Sequence, residues 1–131
     1  MKVKKGINNI EKFEKINSQL SGLHEEISML SKKSPDAQIN IFKLEYVNTI
    51  IKEANNLLGD NYIPFKTFEQ FSIESLPTNS DVVFILSQYL NCMEQLRSEN
   101  IEYDYNELYW VWVLNGKKTS INTYPPKKLQ K

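Results

Sequence analysis

Apolar residues recur at alternating spacings of four and three between positions 82 and 96, and further apolar residues beside them predict a helix that is covered on more than one side. The members of this stripe are Val82, Leu86, Tyr89, Met93 and Leu96. Thr78 and Asp81 stand before it with the spacing of a capping box, in which the hydroxyl accepts from a free first-turn N–H group. We therefore predict a helix over about 79–98 as the centre of the fold.

The first part of the chain carries a narrower apolar seam with the same alternation of spacings. It consists of Phe13, Ile16, Leu20, Leu23, Ile27 and Leu30. Asn8 and Glu11 have capping-box spacing, so the pattern predicts an amphipathic helix over about 9–32. The seam is shorter than four heptads, which favours packing on the same chain over pairing with a second copy.

The next segment predicts a second long helix, over about 35–58. Ser34 and Pro35 end the first helix and offer a cap and a first-position proline to the next. Apolar residues occupy two sides of this segment, so we expect it to be covered on both. Gly59 follows it, at a position suited to a helix end with positive φ.

The connection over about 60–77 is rich in aromatic residues, unlike an ordinary polar linker. Phe65, Phe68 and Phe71 are spaced by three, which predicts a short helical turn after Pro64. The segment then has two interpretations. It is a lid over the core, or it forms an aromatic-walled ligand pocket with Tyr62, Phe65 and Phe68 as stacking walls.

After position 98 the helical period fades, and a β-hairpin over about 108–123 is predicted. Asn115-Gly116 is a preferred centre for a type I′ turn. It predicts the pairs Leu114–Lys117, Trp112–Thr119, Trp110–Ile121 and Leu108–Thr123. One face should pack on the helices, and the remaining face is the main partner-binding candidate. The partner-binding residues expected on this strand are Tyr109, Trp110, Val111, Trp112 and Val113. Residues 125–131 are predicted to form a frayed tail.

Composition removes several classes of function. The 16 basic and 16 acidic residues cancel, and Arg97 is the only arginine, which argues against nucleic acid as a partner. No apolar run approaches the length of a membrane span. Cys92 is the only cysteine, so disulfides are not expected and a cytoplasmic location fits. High asparagine, isoleucine and lysine usage is typical of AT-rich coding and hints at a prokaryotic or mobile-element origin.

No pattern of residues indicates a catalytic or metal site. His24 is the only histidine, so metal-ligand spacing is missing, and a pairing with Cys92 depends on the fold. An acidic cluster over 99–107 could in principle bind a hard cation, although a solvated connector explains it. We expect no cofactor, no metal and no enzymatic activity.

The sequence predicts a mainly α, single-domain protein over 1–131: a three-helix bundle with an aromatic-rich crossover and a C-terminal β-hairpin. Surplus apolar surface without catalytic motifs favours a non-enzymatic protein–protein interaction module, a small subunit or adaptor of a larger intracellular assembly. Its partner would be another protein or its own copy. The alternative is a small-ligand-binding or sequestering protein, with the pocket near the crossover.

Overall fold

The computed structural model describes residues 2–129, with side chains described from Asn8 onward. Three helices are followed by a three-stranded antiparallel sheet of order β1-β2-β3. The elements are α1 (Lys2–Lys33), α2 (Ile41–Leu58), α3 (Asn79–Ser98), β1 (Ile101–Asp104), β2 (Tyr109–Leu114), β3 (Lys117–Thr123) and a 3₁₀ turn (Lys127–Leu129). A mainly helical chain with a C-terminal hairpin is confirmed, and a third strand is added to it.

Helix α1 packs against both other helices, most extensively against α3. The buried part of its seam is formed by Phe13, Ile16, Leu20 and Ile27, which belong to one core with residues of α2 and α3. Packing on the same chain, the favoured interpretation of the seam, is therefore confirmed. The predicted start is wrong: the helix begins at Lys2, so Asn8 and Glu11 lie inside it rather than at a cap.

Helix α2 begins at Ile41 and not at about position 35. Its N-cap is Asn40, whose side chain accepts a hydrogen bond from the Lys43 N–H group at 3.2 Å. Pro35 follows the end of α1 as predicted, but it lies in a turn, and the chain after this turn pairs with the segment that precedes α3. Gly59 follows the helix with a φ of 70°, so the expected positive φ is confirmed.

The segment between α1 and α2 is bonded to the start of α3. The Ile39 N–H group donates to the Pro77 carbonyl and the Asn79 N–H group to the Ala37 carbonyl, both at 2.9 Å. The Asn79 side chain also donates to the Ser34 carbonyl at 3.0 Å. Helices α2 and α3 therefore begin at the same end of the molecule and both run antiparallel to α1.

The start of α3 is the one predicted. Thr78 is the N-cap, its hydroxyl accepts from the Asp81 N–H group at 3.1 Å, and the Asp81 carboxylate accepts from the Thr78 N–H group at 3.3 Å. Both halves of the capping box are formed. The box satisfies two groups that a helix start otherwise leaves unpaired.

The crossover between α2 and α3 runs from the end of α2 back to the level of its start, and Phe71 within the crossover is hydrogen-bonded to α2. Asn48 of α2 donates to the Phe71 carbonyl at 3.0 Å and accepts from the Phe71 N–H group at 2.9 Å. Tyr62, Phe68 and Phe71 are half-buried against the core. The crossover contains turns but not the predicted helical turn after Pro64.

The hairpin turn is formed as predicted, but the register changes beyond it. Asn115 and Gly116 have φ values of 53° and 77°, and Leu114 pairs with Lys117. Past a bulge, Trp110 pairs with Thr123 rather than with Ile121. The predicted pair of Leu108 with Thr123 is therefore wrong as well. The predicted pairing of Trp112 with Thr119 stays a prediction, because Trp112 lies at the bulge.

Thr119 supplies the physical reason for the bulge. Its hydroxyl donates to the Trp112 carbonyl at 2.8 Å and accepts from the Ile121 N–H group at 3.1 Å. These side-chain bonds take the place of a backbone hydrogen bond between β2 and β3. As a result, extra residues of β3 lie opposite one residue of β2. Leu108 has a φ of 65° and lies in the preceding turn, outside β2.

Strand β1 was not predicted, because its sequence was interpreted as part of a solvated acidic connector. Ile101 pairs with Trp112 and Asp104 with Tyr109, so β2 is the central strand. The Asp104 side chain accepts from the Asn106 and Glu107 N–H groups at 2.9 and 3.2 Å and closes the turn into β2.

The chain after β3 is fastened to α3 by Arg97, which has no exposed surface. Its guanidinium donates to the Thr123 hydroxyl at 3.0 Å, the Tyr124 carbonyl at 2.7 Å and the Pro125 carbonyl at 2.9 Å. Two further bonds, at 2.9 and 3.0 Å, go to the Glu94 carboxylate, so all five N–H donors have partners. We call this set the Arg97 clasp.

Two more contacts complete the clasp. The Arg97 guanidinium lies 3.7 Å from the centre of the Tyr124 ring, and Glu94 accepts from the Lys127 N–H group at 2.9 Å. The prediction of a frayed tail is therefore wrong for residues 125–129. Positions 130 and 131 lie outside the described residues.

Candidate functional site

The predicted partner-binding residues of β2 are divided between the interior and the surface. Val111 has no exposed surface and Trp112 is 4% exposed, whereas Tyr109, Trp110 and Val113 are half-buried. The Phe13 and Trp112 rings meet edge to face, with centroids 5.1 Å apart. A partner could touch Tyr109 and Val113 in this conformation, but not the side chains of Val111 and Trp112.

The residues of the alternative ligand site, Tyr62, Phe65 and Phe68, each contact a different neighbour. Tyr62 donates to the Glu99 carboxylate, and Phe68 meets Phe71 edge to face with centroids 5.1 Å apart. Phe65 lies over Phe84 of α3, with centroids 6.4 Å apart. A pocket at the crossover therefore stays a prediction.

The largest exposed aromatic pair on a helix was not singled out from the sequence. Phe42 and Tyr46 of α2 are 65% and 55% exposed, and their rings meet edge to face with centroids 5.1 Å apart. The sequence predicted that both sides of α2 would be covered. The structure buries the side that carries Leu44 and Val47 and leaves the Phe42 side open in the first turns.

Two further exposed apolar side chains lie at the same end of the molecule. Ile41 precedes Phe42, and Met29 lies one turn beyond Glu26, which forms an ion pair with Lys43 at 2.9 Å. This ion pair holds the end of α1 beside the start of α2. We call the exposed apolar side chains at this end, namely Met29, Ile41, Phe42 and Tyr46, the α1–α2 patch.

A larger and a smaller cavity lie toward the other end of α2, and they differ in charge. The larger, about 770 Å³, is a cleft between α1 and α2 whose walls include the charged side chains of Glu11, Lys12, Lys15 and Glu53. The smaller, about 240 Å³, lies where α1, α2 and α3 meet β2. Its walls are Asn9, Ile10, Phe13, Leu57, Leu96, Asn100, Trp112, Val113 and Leu114.

One wall residue of the smaller cavity has an unusual polar atom. Trp112 Nε1 is buried and has no hydrogen-bond partner in the part of the chain that the structure describes. Burying a donor without a partner costs about 1–3 kcal/mol, so most buried donors in proteins are paired. Sequence reasoning missed this feature, because the pattern of residues does not show which way the indole of a core tryptophan points.

The pKa is raised at both Cys92 and Tyr62. Burial raises the pKa of the Cys92 thiol, which disfavours the reactive thiolate. No hydrogen bond joins Cys92 to His24, both of which lie within the described residues. The hydrogen bond to the Glu99 carboxylate raises the pKa of the Tyr62 hydroxyl, because it stabilises the neutral phenol.

Metal-binding clusters and membrane-spanning helices are both missing from residues 2–129. No group of three or more histidine, cysteine, aspartate or glutamate side chains is placed to hold a metal ion in that range. No helix within it combines the length and the apolar character needed to cross a membrane.

Comparison of the chain with known protein families, with curated proteins and with solved structures gives no match. The functional argument therefore rests on the residues and surfaces described above.

Proposed function

We propose that this protein is a non-enzymatic protein–protein interaction module, a small subunit or adaptor of a larger assembly. The observation that supports this proposal is the α1–α2 patch, where Phe42 and Tyr46 form an aromatic pair that is mostly exposed. Aromatic residues are enriched at the centres of protein interfaces, where they supply much of the binding energy.

The magnitude available from this pair is sufficient for a specific contact. A large aromatic side chain buries about 150–250 Å² when fully covered. More than half of each ring is still exposed, so covering each would contribute roughly 2–3 kcal/mol at about 25 cal/mol per Å². The Glu26–Lys43 ion pair would lie at the edge of such an interface, where exposed charges contribute little affinity but help to orient a partner.

The face of the sheet remains a second surface for the same function. Tyr109, Trp110 and Val113 are the members of the predicted set that retain exposed area on β2. Tyr109→Lys tests this surface. Val111→Lys would not, because Val111 is fully buried and a lysine at such a position reports on folding rather than on a partner.

The experiment is native mass spectrometry of the tagged protein, purified at low salt from its own host. The wild type is compared with the double variant Phe42→Ser/Tyr46→Ser and with Tyr105→Ser. Tyr105 is a matched control, because it is also an exposed aromatic residue paired edge to face, with Tyr103. It lies in the turn between β1 and β2, whereas the α1–α2 patch lies near the start of α2.

We expect the wild type and Tyr105→Ser to appear in a larger complex, and the double variant to appear alone near 15.4 kDa. A second polypeptide in the complex identifies a foreign partner, whereas an integer multiple of the monomer mass identifies a second copy. At roughly 2–3 kcal/mol for each ring, the double substitution should weaken binding roughly a thousand- to ten-thousandfold. A monomeric wild type, or a double variant that keeps its partner, would refute the proposal.

A further inference from the structure

The smaller cavity has the properties of a ligand site, and its nine wall residues carry no formal charge. Seven of them are apolar side chains from α1, α2, α3 and β2, and the two others are asparagines. Ligand pockets are typically lined in this way, with a few polar groups among apolar walls. The charged residues around the larger cleft would suit a polar ligand, but none of them lines the smaller cavity.

The unpaired donor of Trp112 adds a chemical preference. A ligand that brought an acceptor to Nε1 would remove the cost of a buried, unpaired N–H group, and an isosteric apolar ligand would not. This atom is almost completely covered by its neighbours. The acceptor therefore reaches it only when the surrounding side chains move apart, so we expect the cavity to open on binding.

We propose that this cavity, the Trp112 pocket, binds an uncharged and mostly apolar small molecule that carries one acceptor, such as a ketone or amide carbonyl. The volume of the pocket is about 240 Å³. Since a water molecule occupies about 30 Å³ of liquid, this space corresponds to roughly eight water molecules. A molecule with one ring and a short side group fits it. A charged ligand does not suit the pocket, because its charge would lose hydration without gaining a counter-ion.

The Trp112 pocket is separate from the α1–α2 patch, although Val113 belongs both to its wall and to the second interaction surface on the sheet. Leu57 lies in its wall, whereas Phe42 of the α1–α2 patch lies near the opposite end of α2. The two residues are about four turns apart, or roughly 22 Å at about 1.5 Å per residue. The failure of either proposal therefore leaves the other standing.

The experiment uses three probes of nearly the same shape, namely acetophenone, cumene and benzoate. Acetophenone carries the carbonyl acceptor. Cumene carries a methyl group in place of the carbonyl oxygen, and benzoate carries a charged carboxylate in place of the acetyl group. Each is titrated into the ¹⁵N-labelled full chain while the two indole N–H resonances are followed by NMR. The variant Trp110→Phe assigns the resonance of Trp112, since the chain has only two tryptophans.

We expect acetophenone to shift the Trp112 indole resonance saturably and to bind about three- to tenfold more tightly than cumene, the ratio that one neutral hydrogen bond provides. Benzoate should leave the resonance unchanged. Trp112→Phe keeps an aromatic wall without the donor, and it should reduce the affinity for acetophenone to that for cumene. Because this variant lacks the Trp112 indole, its affinities are measured from the backbone amide resonances of the wall residues. If this variant does not fold, the affinities of the wild-type protein for acetophenone and for cumene still test the proposal.

Three results would overturn the proposal. Acetophenone and cumene could bind with equal affinity, or no probe could shift the Trp112 resonance saturably. In the third case, the Trp112 indole N–H group exchanges slowly with solvent and its resonance does not shift with any probe. This result would mean that a resident water molecule already accepts its hydrogen bond.

Discussion

Removing the Arg97 side chain should destabilise the protein more than removing any surface charge. Arg97→Ala deletes five hydrogen bonds, from the guanidinium to Glu94, Thr123, Tyr124 and Pro125, and the contact with the Tyr124 ring. Breaking a buried ion pair by removing one partner costs about 3–5 kcal/mol. Glu94 keeps some exposure, with 21% of its side chain in contact with solvent, so its stranded charge is partly hydrated. We therefore expect a loss near the lower end of that range, about 3 kcal/mol.

The chain contains its own control for this prediction. The Lys43–Glu26 ion pair has the same length as Arg97–Glu94, 2.9 Å, but its side chains are 34% and 60% exposed. Exposed ion pairs contribute about 0–1 kcal/mol, because water and salt screen them. Lys43→Ala should therefore lower the free energy of unfolding by less than about 1 kcal/mol. The difference between Arg97→Ala and Lys43→Ala then shows the effect of burial.

The assay is urea unfolding followed by far-ultraviolet circular dichroism, with the free energy of unfolding extrapolated to water. A domain of this kind has a total stability of about 5–15 kcal/mol, so Arg97→Ala should lower the midpoint clearly and the Tm by about 10 °C. Glu94→Ala and the double variant complete a cycle that measures the coupling between the two side chains. If Arg97→Ala costs no more than Lys43→Ala, the clasp does not stabilise the fold and the reasoning fails.

Two other substitutions test the crossover and the thiol. Asn48→Ala removes both hydrogen bonds to the Phe71 backbone. We expect a loss of about 2 kcal/mol and faster hydrogen exchange at the Phe71 amide; an unchanged exchange rate would contradict the fastening role. Burial raises the pKa of Cys92. The unfolded chain therefore loses this proton at lower pH, and the free energy of unfolding should fall as the pH rises above about 8.5. Cys92→Ala should remove that part of the decline, and a profile identical to that of the wild type would contradict the assignment.

The correct predictions came from signals that act over a few residues. The Thr78–Asp81 box and the Asn115-Gly116 turn each depend on neighbouring backbone groups, so the tertiary structure had little opportunity to override them. The incorrect helix starts had equally good local signals. Asn8 lies inside α1 because the helix continues through it, and Pro35 does not open α2 because its segment pairs with the start of α3.

Other features depended on contacts between distant residues. Strand β1 exists because β2 supplies a partner, and the register of β3 depends on the Thr119 side chain. The burial of Arg97 had one signal in the sequence: it lies four residues after Met93, a spacing that places it on the buried face of α3. Most of its partners lie far along the sequence, which concealed this role.

The sequence correctly predicted the tryptophan-rich strand of the candidate site. It did not predict which residues of that strand are exposed. A strand with apolar residues on both faces does not reveal which face is covered. Phe42 and Tyr46 were assigned to a covered side of α2 for the same reason, since periodicity identifies an apolar face but not whether anything packs on it.

The contact between Phe13 and Trp112 joins two segments that are almost the whole chain apart, and this affects how the protein is made. The seam of α1 leaves the ribosome well before α3 and β2, which later cover it. At about 5–20 residues per second the delay is several seconds, far longer than a helix needs to form. During synthesis α1 therefore presents an uncovered apolar seam to the cell, and this is the stage at which a nascent chain of this protein is most exposed to chaperones and to aggregation.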